Sequence, residues 1–218
     1  MMATTTFGQT AAELAKQQAE LNAIHMKMLN AKPSKDAKKQ AKELKSEGWT
    51  APAGEASIES QITKSQLYGE ELMTDVNGAI TKRFIMQTAI QTSGTYNAGY
   101  AAARSSAQVE LAAMLQTEIV AAMQQKLDNA QQSSVMAMSI DKFNERVKSI
   151  VDQTLTNSIP VLAIYRRLSN NNFEVQVRIA FDKKELAARL KQNLLKELEE
   201  EGDGILDDIV NYVIGSKL

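Results

Sequence analysis

Cysteine is absent from this chain of 218 residues, and several other residue types are scarce. Without cysteine the sequence cannot form disulfides, thiolate metal sites or a cysteine nucleophile, and it carries no cysteine for lipid attachment. The absence of cysteine does not indicate the cellular compartment, since it fits both the cytosol and many bacterial envelope proteins. Three prolines and ten glycines argue against a long disordered linker.

Histidine is nearly absent too, and this excludes most catalytic arrangements. The single histidine, His25, lies on the Leu21 and Met28 side of a predicted helix, where packing or surface exposure explains it. A serine triad needs a histidine, and a zinc site here would need carboxylates alone. The chain has no phosphate loop, nucleophile elbow or dinucleotide motif. The sequence therefore predicts no catalytic residue, no cofactor and no enzyme activity.

Two further patterns invite a metal-site interpretation but fit a structural one better. The closely spaced methionines Met26/Met28 and Met136/Met138 are typical of core filling rather than of copper(I) binding. Asp203-Gly204, followed by Asp207 and Asp208, lacks the alternating oxygen ligands and terminal glutamate of a calcium loop. Acidic residues in the first turn of a helix explain that segment. No metal ligand is predicted.

The net charge and the uncharged stretches limit the classes of partner that we expect, and the aromatic content indicates how the core is built. The formal net charge is −1, so no overall field attracts nucleic acid. Aromatic residues make up only 5% of the chain against 44% hydrophobic residues, so aliphatic side chains and alanine must build the core. The longest charge-free stretch, Phe84 to Ala103, contains too many amides and hydroxyls for a lipid interior. We therefore predict no membrane span and no nucleic-acid partner.

The stretch from Tyr100 to Leu127 is predicted to be the central helix. A line of large apolar residues recurs there at helical spacing, and alanines widen it into a broad face. The line contains Leu111, Leu115, Ile119, Met123 and Leu127, and the alanines are Ala103, Ala107, Ala112, Ala113, Ala121 and Ala122. Alanine favours helix, and its small side chain lets a neighbouring sheet approach closely.

Strand periodicity lies on both sides of this helix. Arg83 to Thr92 alternates, and Phe173 to Phe181 gives the clearest alternation in the chain. Asn170-Asn171-Asn172 joins that strand to Val161–Leu168 as a hairpin loop, because asparagine tolerates positive φ. A second core helix is predicted over Ile140 to Asn157. The fold class is α+β: two helices on one face of a three-stranded antiparallel sheet.

Further helices are expected at both ends of the chain. Thr10 and Ser34 are predicted N-caps, and Gly48 with Trp49 and Leu44 has the pattern of a Schellman stop. Glu55 to Leu72 is predicted to be helical, Asn77-Gly78 to be a tight turn, and Asn129 to Ser134 a polar loop. Asp182 with Glu185 predicts a capping box before a stripe of leucines, Leu186, Leu190, Leu194 and Leu198.

The first eight residues resemble the end of a secretory signal. Thr6 and Gly8 occupy the −3 and −1 positions of a cut before Gln9, which predicts a start codon upstream of this numbering. A floppy N-terminus is the alternative. The predicted organisation is a residual signal tail at 1–8, a helical region at 9–80, an α+β core domain at 81–184 and C-terminal helices packing on it at 185–218.

The segment Ala102-Ala103-Arg104-Ser105-Ser106-Ala107-Gln108-Val109-Glu110-Leu111-Ala112, followed by the strand at Phe173 to Phe181, resembles the LPP-twenty lipoproteins of bacterial envelopes. It is also similar to the N-terminal domain of flagellar assembly protein T. The likeness covers roughly 82–184. It implies an α+β fold, an envelope location and a structural or interaction role, with no catalytic residues. The sequence departs from the lipoprotein pattern because it lacks a cysteine for lipidation.

The expected contact surfaces are the first predicted helix, whose apolar seam is narrow, and the acidic end of the helix that contains Leu186. Glu199, Glu200 and Glu201 crowd the C-terminus of that helix, where the macrodipole disfavours anions, so we expect them to be exposed or to contact a basic partner. Arg166 and Arg167 fall on opposite faces of a strand, and either a buried carboxylate or protection of an exposed edge would explain the pair. The expected function is non-enzymatic protein interaction or self-assembly in the periplasm or outside the cell. The alternative is a module that binds a small molecule or cell-wall fragment.

Overall fold

The structure of the protein is a computed structural model, which describes residues 32–74, 80–129, 145 and 147–189, with residues 16, 19–20 and 22–24. Of residues 122–129 it describes the backbone alone. The elements in chain order are α1 (Lys35–Ser46), α2 (Ile58–Glu70), β1 (Leu72–Thr74), β2 (Ile80–Lys82), β3 (Phe84–Ser93), α3 (Tyr96–Asn129), α4 (147–155), β4 (Ile159–Arg167), β5 (Phe173–Asp182) and α5 (183–189). Residues 16, 19–20 and 22–24 are helical as well.

The α+β fold class is confirmed. Strands β3, β5 and β4 form an antiparallel sheet in that order, with β5 in the centre. Helices α3 and α4 pack on one face, against the odd-numbered residues of β5. Helices α1 and α2 pack on the opposite face, against Leu162 and Ile164 of β4. Because both faces are covered, the sheet is the middle of three layers.

The central helix α3 is longer than predicted because Thr95 is its N-cap. The Thr95 hydroxyl accepts a hydrogen bond from the Ala98 N–H at 3.3 Å, so the helix begins at Tyr96. Its inner face is fully buried, as predicted, at Ala103, Ala107, Leu111, Leu115 and Ile119. Ala113 and Ala121, in contrast, are exposed, because the helical period turns them away from the sheet.

Close approach of helix and sheet depends on a glycine at the start of α3. A Cβ placed on Gly99 would lie 2.6 Å from Cγ2 of Val175 on the central strand. A side chain at this position would force the Val175 side chain to shift. The alanines of α3 continue the same close contact further along the helix.

Helix α4 ends at residue 155, before the predicted Asn157. Side chains of α3 bind the chain at and just after this end. The described helical residues here are 145 and 147 to 155, and Asn157 is in a turn. Gln108 of α3 donates to the Leu155 carbonyl at 3.0 Å and to the Ser158 hydroxyl at 3.1 Å. Arg104 donates to the Ser158 carbonyl at 3.3 Å. The Gln108 amide thus satisfies one of the C-terminal carbonyls that a helix leaves unpaired, and Arg104 binds the chain just after the helix.

The predicted caps of α1 are confirmed at both ends. The Ser34 hydroxyl accepts from the Ala37 N–H at 2.9 Å. At the other end, the Trp49 N–H donates to the Leu44 carbonyl at 3.0 Å, which is the long bond of a Schellman motif. Gly48 supplies the required positive φ of 89°.

The predicted hairpin loop between β4 and β5 and the predicted N-cap of the helix after β5 are also confirmed. Asn171 in the loop between β4 and β5 has a φ of 63°. Asp182 caps α5 by accepting from the Lys184 N–H at 2.9 Å. Glu185 does not complete the capping box, because its carboxylate instead accepts from the Asn157 amide and pairs with Arg189.

The segment from Glu55 to Leu72 is the main correction. Helix α2 begins only at Ile58, because the Ser57 hydroxyl caps it by accepting from the Ser60 N–H. It ends at Glu70, and Leu72 belongs to β1, which pairs antiparallel with β2. The region predicted to be helical up to residue 80 therefore includes a short strand. Neither three-residue strand is long enough to show a period.

Several predictions lie outside the described residues. These are the signal tail at 1–8, the cap at Thr10, the turn at Asn77-Gly78, the polar loop from 130 to Ser134, and the leucines beyond Leu186. Asn129, predicted to begin that loop, is instead the last residue of α3.

Candidate functional site

The acidic residues predicted to contact a partner, Glu199, Glu200 and Glu201, lie outside the described residues, as do His25, both methionine pairs and the Asp203 segment. Their predicted roles stay predictions. The part of the chain that the structure describes holds no group of three or more histidine, cysteine, aspartate or glutamate side chains arranged for a metal ion. The candidate surfaces therefore come from the sheet and from the elements at its edges.

The two neighbouring arginines of β4 have separate structural partners. Arg166 pairs with Glu174 on β5, and its guanidinium stacks 4.8 Å from the Trp49 ring. Arg167 lies 5.2 Å from the centre of the Phe173 ring. Of the two explanations left open by the sequence, a carboxylate partner therefore applies to Arg166, and that carboxylate is only partly buried.

Four aromatic rings gather where β3 leads into α3 and β4 turns into β5. Tyr96 lies 6.1 Å from Tyr100 and 5.3 Å from Tyr165, and Tyr165 lies 5.7 Å from Phe173, measured between ring centres. All four are half-buried. We call Tyr96, Tyr100, Tyr165 and Phe173 the aromatic cluster. With Arg167 beside Phe173, the cluster places tyrosine and arginine near each other, and both residue types are enriched in binding hot spots.

Burial raises the pKa of Tyr96 to about 12, and the neighbouring Tyr100, Glu55 and Tyr165 add to the effect. Its hydroxyl therefore stays protonated at alkaline pH where an exposed tyrosine ionises, and it can donate a hydrogen bond. Sequence reasoning missed this cluster. The signals were the i, i+4 spacing of Tyr96 and Tyr100 and the hairpin that brings Tyr165 and Phe173 together.

A buried ion pair closes the opposite end of the sheet. Arg83 donates from Nε and Nη2 to Oδ2 of Asp182, at 3.2 and 2.9 Å, and both side chains are buried. Glu20 of the N-terminal helical residues lies 3.8 Å from Arg83 and 3.2 Å from Lys184, and the hydrogen bond from Lys184 lowers the pKa of Glu20. Since Asp182 is paired with Arg83 and also caps α5, it has a structural role and is not poised as a general base.

Besides the Arg83–Asp182 pair, β5 carries another charged residue, Arg178, on the side of the sheet that α2 covers. Its guanidinium donates to the Thr88 hydroxyl at 2.8 Å and to the Ser65 hydroxyl at 3.0 Å. Burial lowers the pKa of Arg178. No carboxylate among the described residues pairs with it, so the two hydroxyls stabilise this arginine.

The outer strands of the sheet have very different edges. On β4, the Ala163 N–H donates to Gln61 Oε1 at 2.6 Å, and the Pro160 carbonyl accepts from Lys64 at 3.2 Å. Thr50 exchanges two backbone hydrogen bonds with Tyr165. Helix α2 and the segment after α1 thus occupy the outer edge of β4. This edge is closed to further pairing.

The outer edge of β3 has no such cover from the described residues. The Lys183 N–H donates to the Arg83 carbonyl, so by the alternation of an antiparallel ladder the odd-numbered residues of β3 bond to β5. The even-numbered residues, Met86, Thr88, Ile90 and Thr92, turn their N–H and C=O groups outward. No described residue makes a backbone hydrogen bond to these groups.

Exposed apolar side chains lie on this strand and on the neighbouring hairpin. Ile90 is 49% exposed near the end of β3. Leu72 and Ile80, 57% and 74% exposed, lie on one face of the β1–β2 hairpin, which leads directly into β3. A bare strand edge with exposed apolar residues beside it is a typical protein contact surface.

Comparison with known proteins gives no relative: no protein family, curated protein or solved structure matches the chain. Among the described residues, no helix is both long enough and apolar enough to cross a membrane.

Proposed function

We propose that this chain is a non-enzymatic bacterial envelope protein that acts by protein–protein interaction or self-assembly. One observation carries the interaction role: along the ten residues of β3, no described residue makes a backbone hydrogen bond to the groups that face its outer edge. Such an edge can bind an extended segment of another chain, with main-chain hydrogen bonds supplying affinity.

The residues of β3 support a binding role for this edge, as opposed to an exposed edge without a function. Proteins protect exposed edges with charge, proline or a bulge, and β3 has none of these between Phe84 and Ser93. The other outer strand has a proline, a register shift and two arginines, in addition to its covering side chains. An unprotected edge is retained where pairing is useful.

Site-specific photo-crosslinking in cells tests the interaction. A photoreactive residue at Thr92, which is exposed on β3, should give a covalent adduct with whatever occupies the edge. The same probe at Val109, which is 65% exposed on α3, is the control and should give none. If Thr92 yields no adduct of any kind in the native host, the edge is not an interaction surface.

The proposed periplasmic or secreted location, by Sec-type export, rests on the first eight residues and on the resemblance to envelope lipoproteins. Fractionation of cells expressing the full reading frame, with N-terminal sequencing of the product, tests it. A periplasmic or secreted chain beginning at Gln9 is expected. A cytosolic chain that retains Met1 would contradict both the location and the resemblance.

The acidic triplet offers a second contact surface. Reversing the charges of Glu199, Glu200 and Glu201 should weaken binding of a basic partner without lowering the melting temperature. Unchanged affinity would remove the triplet as a contact. The edge of β3 would be unaffected by that outcome.

A binding module for a small molecule or cell-wall fragment is the alternative, and the aromatic cluster favours it. Tyrosine rings offer apolar faces with hydroxyls at their rims, which suits ligands with both apolar and polar surface. Soluble peptidoglycan fragments should then raise the melting temperature, because a ligand of the folded state stabilises it. Replacing Tyr100 by alanine should abolish that rise, and no rise with the unmodified chain would exclude this function for these fragments.

A further inference from the structure

We infer that the outer edge of β3 pairs with the same edge of a second copy of this chain, antiparallel and related by a two-fold axis at Ile90. The two sheets then form one continuous sheet of six strands. This inference rests on the proposed function and deepens it, because it names a second copy as the occupant of the edge.

The backbone of β3 fits such a pairing. In an antiparallel ladder, facing residues whose polar groups point toward each other exchange both N–H···O=C bonds. On β3 these are the even-numbered residues, so Ile90 can face Ile90 of the second copy, and Thr88 can face Thr92. Each of these residues has its outward backbone groups free of backbone hydrogen bonds to described residues.

Charge does not oppose the pairing. The ten residues from Phe84 to Ser93 contain no charged side chain, so no like charges meet when the strand faces its own copy. The whole chain carries a formal net charge of only −1, so two copies do not repel each other strongly at long range. A partner with a charged strand would gain nothing specific from this edge, whereas a second β3 matches it.

The side chains select the register. Ile90 is the large apolar residue of β3 that is left 49% exposed, and only an apolar neighbour across the edge can bury it. With the axis at Ile90, the two isoleucines cover each other and two Thr88–Thr92 pairs flank them, a favourable cross-strand pairing. This register also uses the half of β3 beyond Met86, the residue that packs with Tyr68 and Ile24 on the covered part of the sheet.

The closed edge of β4 limits the assembly to two copies. Gln61, Lys64 and Thr50 occupy the outer hydrogen-bonding groups of β4, so a strand cannot add there. A sheet with one open edge gives a closed, symmetric dimer, whereas two open edges would give a fibre.

Single-cysteine variants test the register. Because the natural sequence has no cysteine, each variant carries one thiol. Across the axis, the two Cα atoms at position 90 would lie about 5.5 Å apart, which a disulfide can span. Under mild oxidation, Ile90→Cys should therefore form a covalent dimer. Thr92→Cys should not, because its own copies would be about 14 Å apart. Val109→Cys, on an exposed face of α3, is the second control.

The molar mass of the full chain in solution, measured by light scattering over a range of concentrations, tests the dimer itself. The unmodified chain should reach twice the monomer mass. Ile90→Lys should raise the dissociation constant at least about tenfold, because it removes the apolar contact and places two lysines opposite each other across the axis. Val109→Lys, a matched replacement on α3, should leave the constant unchanged. Circular dichroism should show that both variants stay folded, since each position is exposed.

The outcomes separate this inference from the proposed function. A monomer at all concentrations, or equal crosslinking of all three cysteine variants, would overturn self-pairing. If the Thr92 photo-crosslink in cells then gives an adduct with a different protein, the interaction function survives and the occupant is that protein. Selective crosslinking at position 90, together with weakening by Ile90→Lys alone, would support the dimer.

Discussion

The two faces of the central strand β5 carry different side chains, although helices cover both faces of the sheet. Toward α3 and α4, the central strand presents Val175, Val177, Ile179 and Phe181, all buried among aliphatic and alanine side chains. Toward α2, the same strand presents buried Ala180 among the polar residues Glu174, Gln176, Arg178 and Asp182. The first face is stabilised by burial of apolar area. On the second face, the apolar residues of α1, α2 and β4 lie beside hydrogen bonds and an ion pair of β5, which contribute little when complete and cost much when broken.

Removing the charge of Asp182 should have the largest effect. Asp182→Asn keeps a good N-cap for α5 but removes the carboxylate that is hydrogen-bonded to buried Arg83 and leaves the more distant Glu20, at 3.8 Å, so unfolding free energy should fall by up to about 3–5 kcal/mol. Urea denaturation measures the change. The double variant Arg83→Met/Asp182→Asn should recover part of the loss, and no recovery would show that the cost does not come from the unpaired charge.

On the apolar face, Leu115→Ala should cost about 2–5 kcal/mol, because Leu115 is fully buried between α3 and the rest of the core. The matched control is Met114→Ala, one residue away but 37% exposed, which should change stability far less. Both are measured by urea denaturation. Equal effects of the two variants would mean that α3 does not pack as described.

Replacing Arg178 should matter much less than replacing Asp182. Arg178→Met removes a half-buried charge that has no carboxylate partner among the described residues, while keeping a long apolar stem. The relief of desolvation offsets the loss of two hydrogen bonds, so stability should stay within about 1 kcal/mol of the unmodified chain. A loss as large as that of Asp182→Asn would show that Arg178 holds α2 on the sheet.

Alkaline pH should expose a small difference between the faces. The pKa of Tyr96, beside the apolar face, is raised to about 12, so between pH 10 and 12 the unfolded chain loses this proton while the folded chain keeps it. Stability therefore falls as the pH rises above about 10. Denaturation midpoints at about pH 9 and 11 should differ less in Tyr96→Phe than in the unmodified chain. Tyr68 of α2, whose pKa burial also raises, contributes to the alkaline dependence that remains.

Local signals explain what could be predicted from the sequence. The hydroxyl of Ser34, the glycine at position 48 and the asparagine at 171 each determine the backbone around them through contacts within a few residues. The inner line of α3 and the alternation of β5 gave the α+β class, because apolar periodicity reports directly which face a segment buries. The resemblance to envelope lipoproteins and the proposed export stay predictions.

Only the tertiary structure decided what lies across each surface. Nothing near Arg178 in the chain indicates that Ser65, 113 residues away, accepts its hydrogen bond. In the same way, the closure of β4 depends on Gln61 and Thr50, and the open edge of β3 depends on its place at the side of the sheet. Sequence determines local conformation because its causes act within a turn of helix or a strand. Strand order, layer contacts and a free edge follow from distant segments competing for the same backbone groups.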